Sequence, residues 1–321
     1  MIRAWLGVAA SLVFVASACG DDKPGGVVDA RSGDDGSSDH DAAQDGTPKD
    51  PNHLELAGHA NGMLWDNTAK LLYFTDATAG KLMTYTDAGG VQVAGDLPAV
   101  AQGLDPGAIA VVGTNLISPN FHAGDSPANQ LLLIDPTGVK TKLTSGLPTA
   151  NHRLGVAVQG GVLYDAFFTG TAQTAAGSIA KLTVDATSGV ATETPITFAV
   201  DPGFAELVGL VATNNALFVA DNTSKKIVKV VVTGTAGVAT DVGTVTDAGP
   251  ISIMPNGDVI VGGSGVHRLT QAGVETQLFA TEAFGAVRGS AYDPTGKRLF
   301  FISGGTSPTD KEHLEIRALA E

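Results

Sequence analysis

The stretch GLVATNNALFVADNTSKKIVKV, residues 209–230, reads as three short strands joined by two turns. Gly209-Leu210-Val211-Ala212 is a run of small and aliphatic residues. Asn214-Asn215 supplies a turn, because asparagine tolerates positive φ. Leu217-Phe218-Val219-Ala220-Asp221 is a continuous apolar run ending on a carboxylate. After a second polar turn, Lys226-Ile227-Val228-Lys229-Val230 alternates with a period close to two, the spacing that puts apolar side chains on one face of a strand. Each segment is too short for a helix, so the stretch is an antiparallel meander.

The phrase recurs along the chain. The apolar run starts again at Leu72, Leu116, Leu163, Val259 and Leu299, at intervals of 40 to 54 residues. Each copy follows a small-residue strand: Gly62–Trp65, Ala108–Val111, Gly155–Val158, Pro250–Ile253 and Gly289–Tyr292. Each precedes a third strand: Lys81–Tyr85, Gln130–Ile134, Ser178–Leu182, Gly265–Leu269 and His313–Arg317. Most copies add a fourth, such as Val91-Gln92-Val93 or Val274-Glu275-Thr276. No window of about fifteen residues carries a helical stripe. Six such units spell an all-β fold, a six-bladed β-propeller over residues 53–321. The last unit stops after its third strand, and His53-Leu54-Glu55-Leu56 precedes the first. That segment is expected to supply the missing outer strand and close the ring, which removes exposed sheet edges.

The chain before residue 53 is of another kind. Residues 1–18 have a basic Arg3, an apolar stretch from Leu6 to Val15 and then Ala16-Ser17-Ala18, the pattern of a secretory signal. The single cysteine of the chain, Cys19, comes next. Ala16-Ser17-Ala18-Cys19 resembles the lipobox of bacterial lipoproteins. That resemblance implies cleavage before Cys19, lipidation of its thiol, and a membrane partner reached through the acyl chains. The expected place is the bacterial cell envelope, periplasmic or outer surface. The rest of the 19–52 segment contains nine Asp, three Lys or Arg and no Phe, Trp or Tyr. It cannot bury enough apolar surface to offset its ordering entropy, so it reads as a disordered acidic linker. Its random-coil reach is roughly 30 Å. Asp39-x-Asp41 begins like a calcium loop, but Ala43 stands where a third ligand belongs and no Glu follows, so the solvated spacer is the reading kept.

Charge and motifs exclude several functions. A net charge of −14 leaves no basic face for nucleic acid. One cysteine excludes a disulfide framework and a cysteine-rich zinc module. Gly-x-Ser-x-Gly, a phosphate-binding loop and His-Glu-x-x-His do not occur.

The residues at the starts of the inner strands are expected to surround the central funnel. They are Asn61, Asp105, His152, Arg153, Glu206, Asp247 and Arg288. Oxygen ligands from Asn61, Asp105, Glu206 and Asp247 would suit Ca2+, a hard cation. Arg153 and Arg288 would instead suit an anion such as a carboxylate. A hydrated polar funnel without a ligand is the third alternative. His122, with Asp125 nearby, sits in a long insertion between Pro119 and Asn129. Trp65, Phe300 and Phe301 read as core between blades.

Asn61-Gly62-Met63-Leu64-Trp65-Asp66, followed by Leu71–Asp76 and Lys81–Tyr85, resembles the first blade of the regucalcin–gluconolactonase family. Leu217–Asn222 with Lys226–Val230 is similar both to that family and to NHL-repeat propellers. The lactonase members hold a divalent cation at the top of the axis, through a Glu opening the first blade and Asn and Asp ligands at later inner strands. By position, that Glu corresponds to Asn61, and an expected Asn corresponds to Leu154. Three functions stay open from the sequence: a lipid-anchored propeller that binds a small molecule or a protein at its face, a divalent-metal-dependent lactonase-like hydrolase, and a purely structural role. No catalytic residue is assigned.

Overall fold

The computed structural model describes residues 52–136, 141–171, 174–280, 285–304 and 311–319. The proposed signal, Cys19 and nearly all of the acidic linker lie outside them. The described residues form strands, turns and bends, with no helix. Strand β1 (His53–Glu55) opens the domain. Blade 1 is β2 (Ala60–Asp66), β3 (Leu71–Asp76), β4 (Lys81–Thr86) and β5 (Gly90–Asp96). Blade 2 is β6 (Ala110–Val112), β7 (Asn115–Pro119), β8 (Leu131–Ile134) and β9 (Lys142–Leu143). Blade 3 is β10 (His152–Gln159), β11 (Val162–Thr169), β12 (Ala176–Val184) and β13 (Ala191–Pro195). Blade 4 adds β14 (Thr197–Phe198) to β15 (Leu207–Ala212), β16 (Leu217–Asp221), β17 (Lys226–Thr233) and β18 (Ala236–Thr244). Blade 5 is β19 (Ile251–Ile253), β20 (Val259–Gly263), β21 (Gly265–Leu269) and β22 (Glu275–Phe279). Blade 6 is β23 (Val287–Asp293), β24 (Arg298–Ser303), β25 (His313–Ala318) and, as its outer strand, β1.

The six sheets and their meander order match the sequence expectation. So does the closure. β1 pairs antiparallel with β25, His53 opposite Glu315 and Glu55 opposite His313. The backbone bond from Ile316 N to Asn52 O (2.9 Å) extends the seam. The strand that opens the domain and the last unit are thus hydrogen-bonded into one sheet, which closes the ring. Blade 4 departs from the expected pattern, because β14 joins β18 as a parallel fifth strand. Two residues are too short to announce a strand by periodicity.

The core is divided among the blade junctions. Six clusters of buried side chains each combine residues of two neighbouring blades. The apolar runs noticed in the sequence supply most of them: Leu72 and Phe74, Ile117, Leu163, Leu217 and Val219, Val259 and Val261, Phe300 and Ile302. Burying each such side chain is worth about 1.5–3 kcal/mol. Trp65 stacks on Phe300 (5.2 Å) across the junction of blades 1 and 6, and Phe301 belongs to the junction of blades 5 and 6. The carboxylate ending the run in blade 4, Asp221, is buried and accepts from the amides of Ala205 (3.0 Å), Glu206 (3.2 Å) and Thr223 (3.0 Å). It locks the chain entering β15 onto the turn after β16, and so fixes where Glu206 stands.

Candidate functional site

The inner strands converge on an axial channel of two connected halves. The narrow half holds ≈ 180 Å³ and is lined by residues of all six blades, among them Asn61, Leu154, Val208, Pro250 and Arg288. The wide half holds ≈ 370 Å³ and runs past Leu64, Trp65, Val158, Ile253 and Tyr292. Both walls are mainly aliphatic, with Ser252 and Ser290 among the few polar side chains. Of the seven strand-start candidates, Asn61 and Arg288 are among the residues that line this channel.

A recurrent bulge decides which residues reach the axis. The register shifts between Asn61 and Met63, between Arg153 and Gly155, between Leu207 and Gly209, and between Val287 and Gly289. The residues skipped are Gly62, Leu154, Val208 and Arg288, and all four line the narrow half. A bulge leaves one residue unpaired and re-aims its side chain. In blade 3 that residue is Leu154, and Arg153 is turned into the sheet.

Arg153 is thus not part of the channel lining. It is fully buried; Nε donates to Asp165 Oδ2 (2.9 Å) and Nη2 to Glu193 Oε2 (2.5 Å). Nη1 donates to the carbonyls of Asn129 (3.1 Å), Pro148 (3.1 Å) and Asn151 (3.2 Å). Every face of the guanidinium is occupied. Burial pushes the Asp165 carboxyl up to about 7, against the pull of Arg153 and with some help from Glu193. His152 is buried as well. Its ring packs edge-on against Phe168 (4.9 Å) and Phe121 (5.7 Å), and Nε2 lies 3.1 Å from Gly124 O. The insertion after Pro119 thus folds down over blade 3 and covers His152. The His122 amide donates to Asn129 Oδ1 (2.7 Å) and its ring Nδ1 lies 2.9 Å from Ala123 O, both within its own loop; Asp125 is exposed.

The other candidates form three groups, those of Glu206 and Asp247 being joined by Lys225 Nζ, which donates to Asn222 Oδ1 (2.8 Å). Asn61 Nδ2 donates to Asp105 Oδ1 (2.9 Å). Burial raises the Asp105 pKa, opposed by His59, by the Asn61 hydrogen bond and by Arg288. Glu206 Oε2 accepts from Asn222 Nδ2 (2.9 Å). Asp247 takes Lys225 Nζ (2.7 Å) on one oxygen and the Ser264 amide (3.1 Å) and hydroxyl (2.9 Å) on the other. Those contacts outweigh its burial and lower its pKa. Arg288 Nε donates to Glu312 Oε1 (3.0 Å), which also lies 2.7 Å from His59 Nδ1. Glu312 Oε2 accepts from the Ala60 amide (2.6 Å), and Arg288 Nη1 lies 3.2 Å from His59 Nε2. His59, Asn222, Lys225 and Glu312 were not singled out from the sequence. His59 and Glu312 are 253 positions apart, so only ring closure reveals the pair.

A calcium ion does not fit this rim. Asp247 is held by an ammonium and a hydroxyl, and Asn61 points its amide nitrogen at Asp105. Among the described residues, no group of three or more His, Cys, Asp or Glu could hold a metal. The bulge positions of blades 3 and 4, which line the narrow half, carry Leu154 and Val208, and neither side chain offers an oxygen.

The fold and rim together define a six-bladed β-propeller with a narrow, mainly aliphatic axis and an ionised mouth. No protein-family model and no curated protein matches the chain. Solved structures do. A gluconolactonase of Xanthomonas campestris shares 14% identity over 82% of this chain and 88% of its own, with a TM-score of 0.59. A calcium-binding protein, regucalcin, of Agrobacterium tumefaciens shares 16% over 85% and 94%, with a TM-score of 0.57. The PQQ-bound aldose sugar dehydrogenase of Streptomyces coelicolor shares 14% over 82% and 95%, with a TM-score of 0.56. At such identities the likeness establishes the propeller and leaves the activity open.

Proposed function

We propose that this chain is a lipid-anchored cell-envelope protein whose propeller is a binding module, with its ligand at the rim of the narrow end of the axis. The observation that carries the reading is the composition of that rim. Asp247 and Arg288 are paired with Lys225 and Glu312, Asp105 and Glu206 are held by the amides of Asn61 and Asn222, and the bulge positions of blades 3 and 4 put the aliphatic Leu154 and Val208 on the channel wall. Such a mouth is suited to recognising a ligand by charge and shape, and it lacks the oxygen cage that would polarise a lactone carbonyl. The anchor is proposed from Ala16-Ser17-Ala18-Cys19 alone, with the acidic linker holding the domain off the membrane.

A calcium-dependent lactonase is the second reading. Its support is the likeness to the gluconolactonase and regucalcin structures. Hydrolysis of simple aldonolactones, measured with calcium and with chelator, separates the two. The binding-module reading expects no hydrolysis above the uncatalysed rate under either condition. Calcium-dependent turnover that disappears in Glu206→Ala would establish the lactonase.

A further inference from the structure

The seam that closes the ring carries a stacked pair of histidines. The rings of His53 on β1 and His313 on β25 lie face to face, with centroids 3.9 Å apart and planes 17° from parallel. His53 Nδ1 lies 2.5 Å from Glu315 Oε1, and Glu315 is fully buried. That carboxylate is shared: Oε2 accepts from Arg317 Nη2 (2.5 Å), and Oε1 also takes the Ser303 hydroxyl (3.3 Å). Glu55, opposite His313 in the register, is exposed and accepts from Lys311 Nζ. Glu312 is turned to His59, Arg288 and the Ala60 amide. The buried carboxylate beside the stack is thus already matched by an arginine, and the exposed one by a lysine. Two uncharged imidazoles have no charge to repel. A proton on one is an excess cation beside Arg317, and a proton on each sets two cations face to face in a half-buried site, where screening is weaker than in open solvent.

The seam is also short. β1 has 3 residues, each paired once with β25. Beyond them the bonds from Leu56 N to Glu312 O (2.8 Å) and from Ile316 N to Asn52 O (2.9 Å) complete the joint. So few bonds can open locally while the blades stay folded. We infer that the ring closure is a proton-sensitive latch: protonation of the His53–His313 stack loosens β1 from β25 and frees the outer edge of blade 6. Burial and the His53 ring lower the His313 pKa, against the pull of Glu315 and Glu55 and of a backbone hydrogen bond with Lys311. A histidine held below its ordinary 6.5 contributes in full above that pH, and the contribution is lost as pH falls toward the folded value. An opened seam exposes the edge of β25, the kind of edge on which another strand can pair.

The latch is independent of what the rim binds, and its test reads the seam itself. Hydrogen exchange is followed by mass spectrometry on the full-length chain in detergent, at pH 7.5 and pH 5.5, corrected for the intrinsic pH dependence of exchange. Peptides containing Leu56 and Ile316 are expected to lose protection by about fivefold or more at pH 5.5, the effect of a one-unit pKa difference at a single histidine. Peptides of β16 and β17 in blade 4 are expected to keep theirs. His313→Gln keeps a polar side chain but cannot take the proton, and its seam is expected to stay as protected at pH 5.5 as at pH 7.5. Equal protection of the parent seam at the two pH values overturns the inference. So does a loss shared equally by blade 4, or one that persists in His313→Gln. Should that variant fail to fold, the two profiles of the parent chain decide.

Discussion

Arg153→Met is expected to destabilise the domain by about 3–5 kcal/mol, because it leaves Asp165 and Glu193 without their buried partner. For a domain of this size that is a fall in melting temperature of roughly 8–15 °C. The change also frees the carbonyls of Asn129, Pro148 and Asn151, which Arg153 holds together where blade 2 passes into blade 3. The triple variant Arg153→Met, Asp165→Asn, Glu193→Gln should recover part of the loss, since both carboxylates are then neutral. The network also carries a pH signature. The folded pKa of Asp165, about 7, lies above its ordinary 3.8. The folded state therefore holds a proton that the unfolded chain releases, and this group's contribution is complete below about pH 4 and lost as pH rises through about 7. Asp165→Asn should flatten that part of the stability profile, measured by denaturant melts across the window. If Arg153→Met melts within a degree or two of the parent, the buried network contributes little.

Gly107→Ala is the second large effect. A Cβ at Gly107 would lie 2.2 Å from the carbonyl oxygen of Leu154 in the next blade and 2.9 Å from Pro119 Cγ. The obstacle is backbone, held by the bond from Ala108 N to Leu154 O (2.9 Å), so it cannot move aside as a flexible side chain would. Overpacking costs about 1–3 kcal/mol and more where the obstacle cannot yield, so the upper end of that range is expected here. The comparison is Gly113, which has φ of +61° and nothing within 4 Å. There glycine serves only the turn, and Gly113→Asn should stay within about 0.5 kcal/mol, since Asn tolerates that conformation. Equal melting temperatures for Gly107→Ala and Gly113→Asn would contradict the close approach of blades 2 and 3.

The fold was legible because each blade repeats one phrase. Leu217–Asp221 and its five counterparts mark the second strand, and His53–Leu56 was recognisable as the closing strand from the missing outer strand of the last unit. The rim was legible only in part. Asn61 and Arg288 line the narrow half of the channel, while Asp105, Glu206 and Asp247 are not among its lining residues. Arg153 is turned away from it, because a single unpaired residue exchanges the faces of a strand, and nothing in Arg153-Leu154-Gly155 announces the bulge. His152 was lost to the axis for a different reason: the insertion carrying Phe121 folds over it, a long-range contact with no periodicity. Glu312, which orients Arg288 and His59, comes from the far end of the chain. The partners of the rim are products of ring closure.

The most direct measurement on the central claim is a calorimetric titration of calcium into the full-length chain after exhaustive chelation. A rim whose bulge positions carry Gly62, Leu154, Val208 and Arg288, none with a side-chain oxygen, and whose Asp247 is paired with Lys225, predicts no saturable heat at millimolar calcium and no change in melting temperature. One-to-one binding that disappears in Glu206→Ala would contradict it, and would return the propeller to the metal-dependent reading.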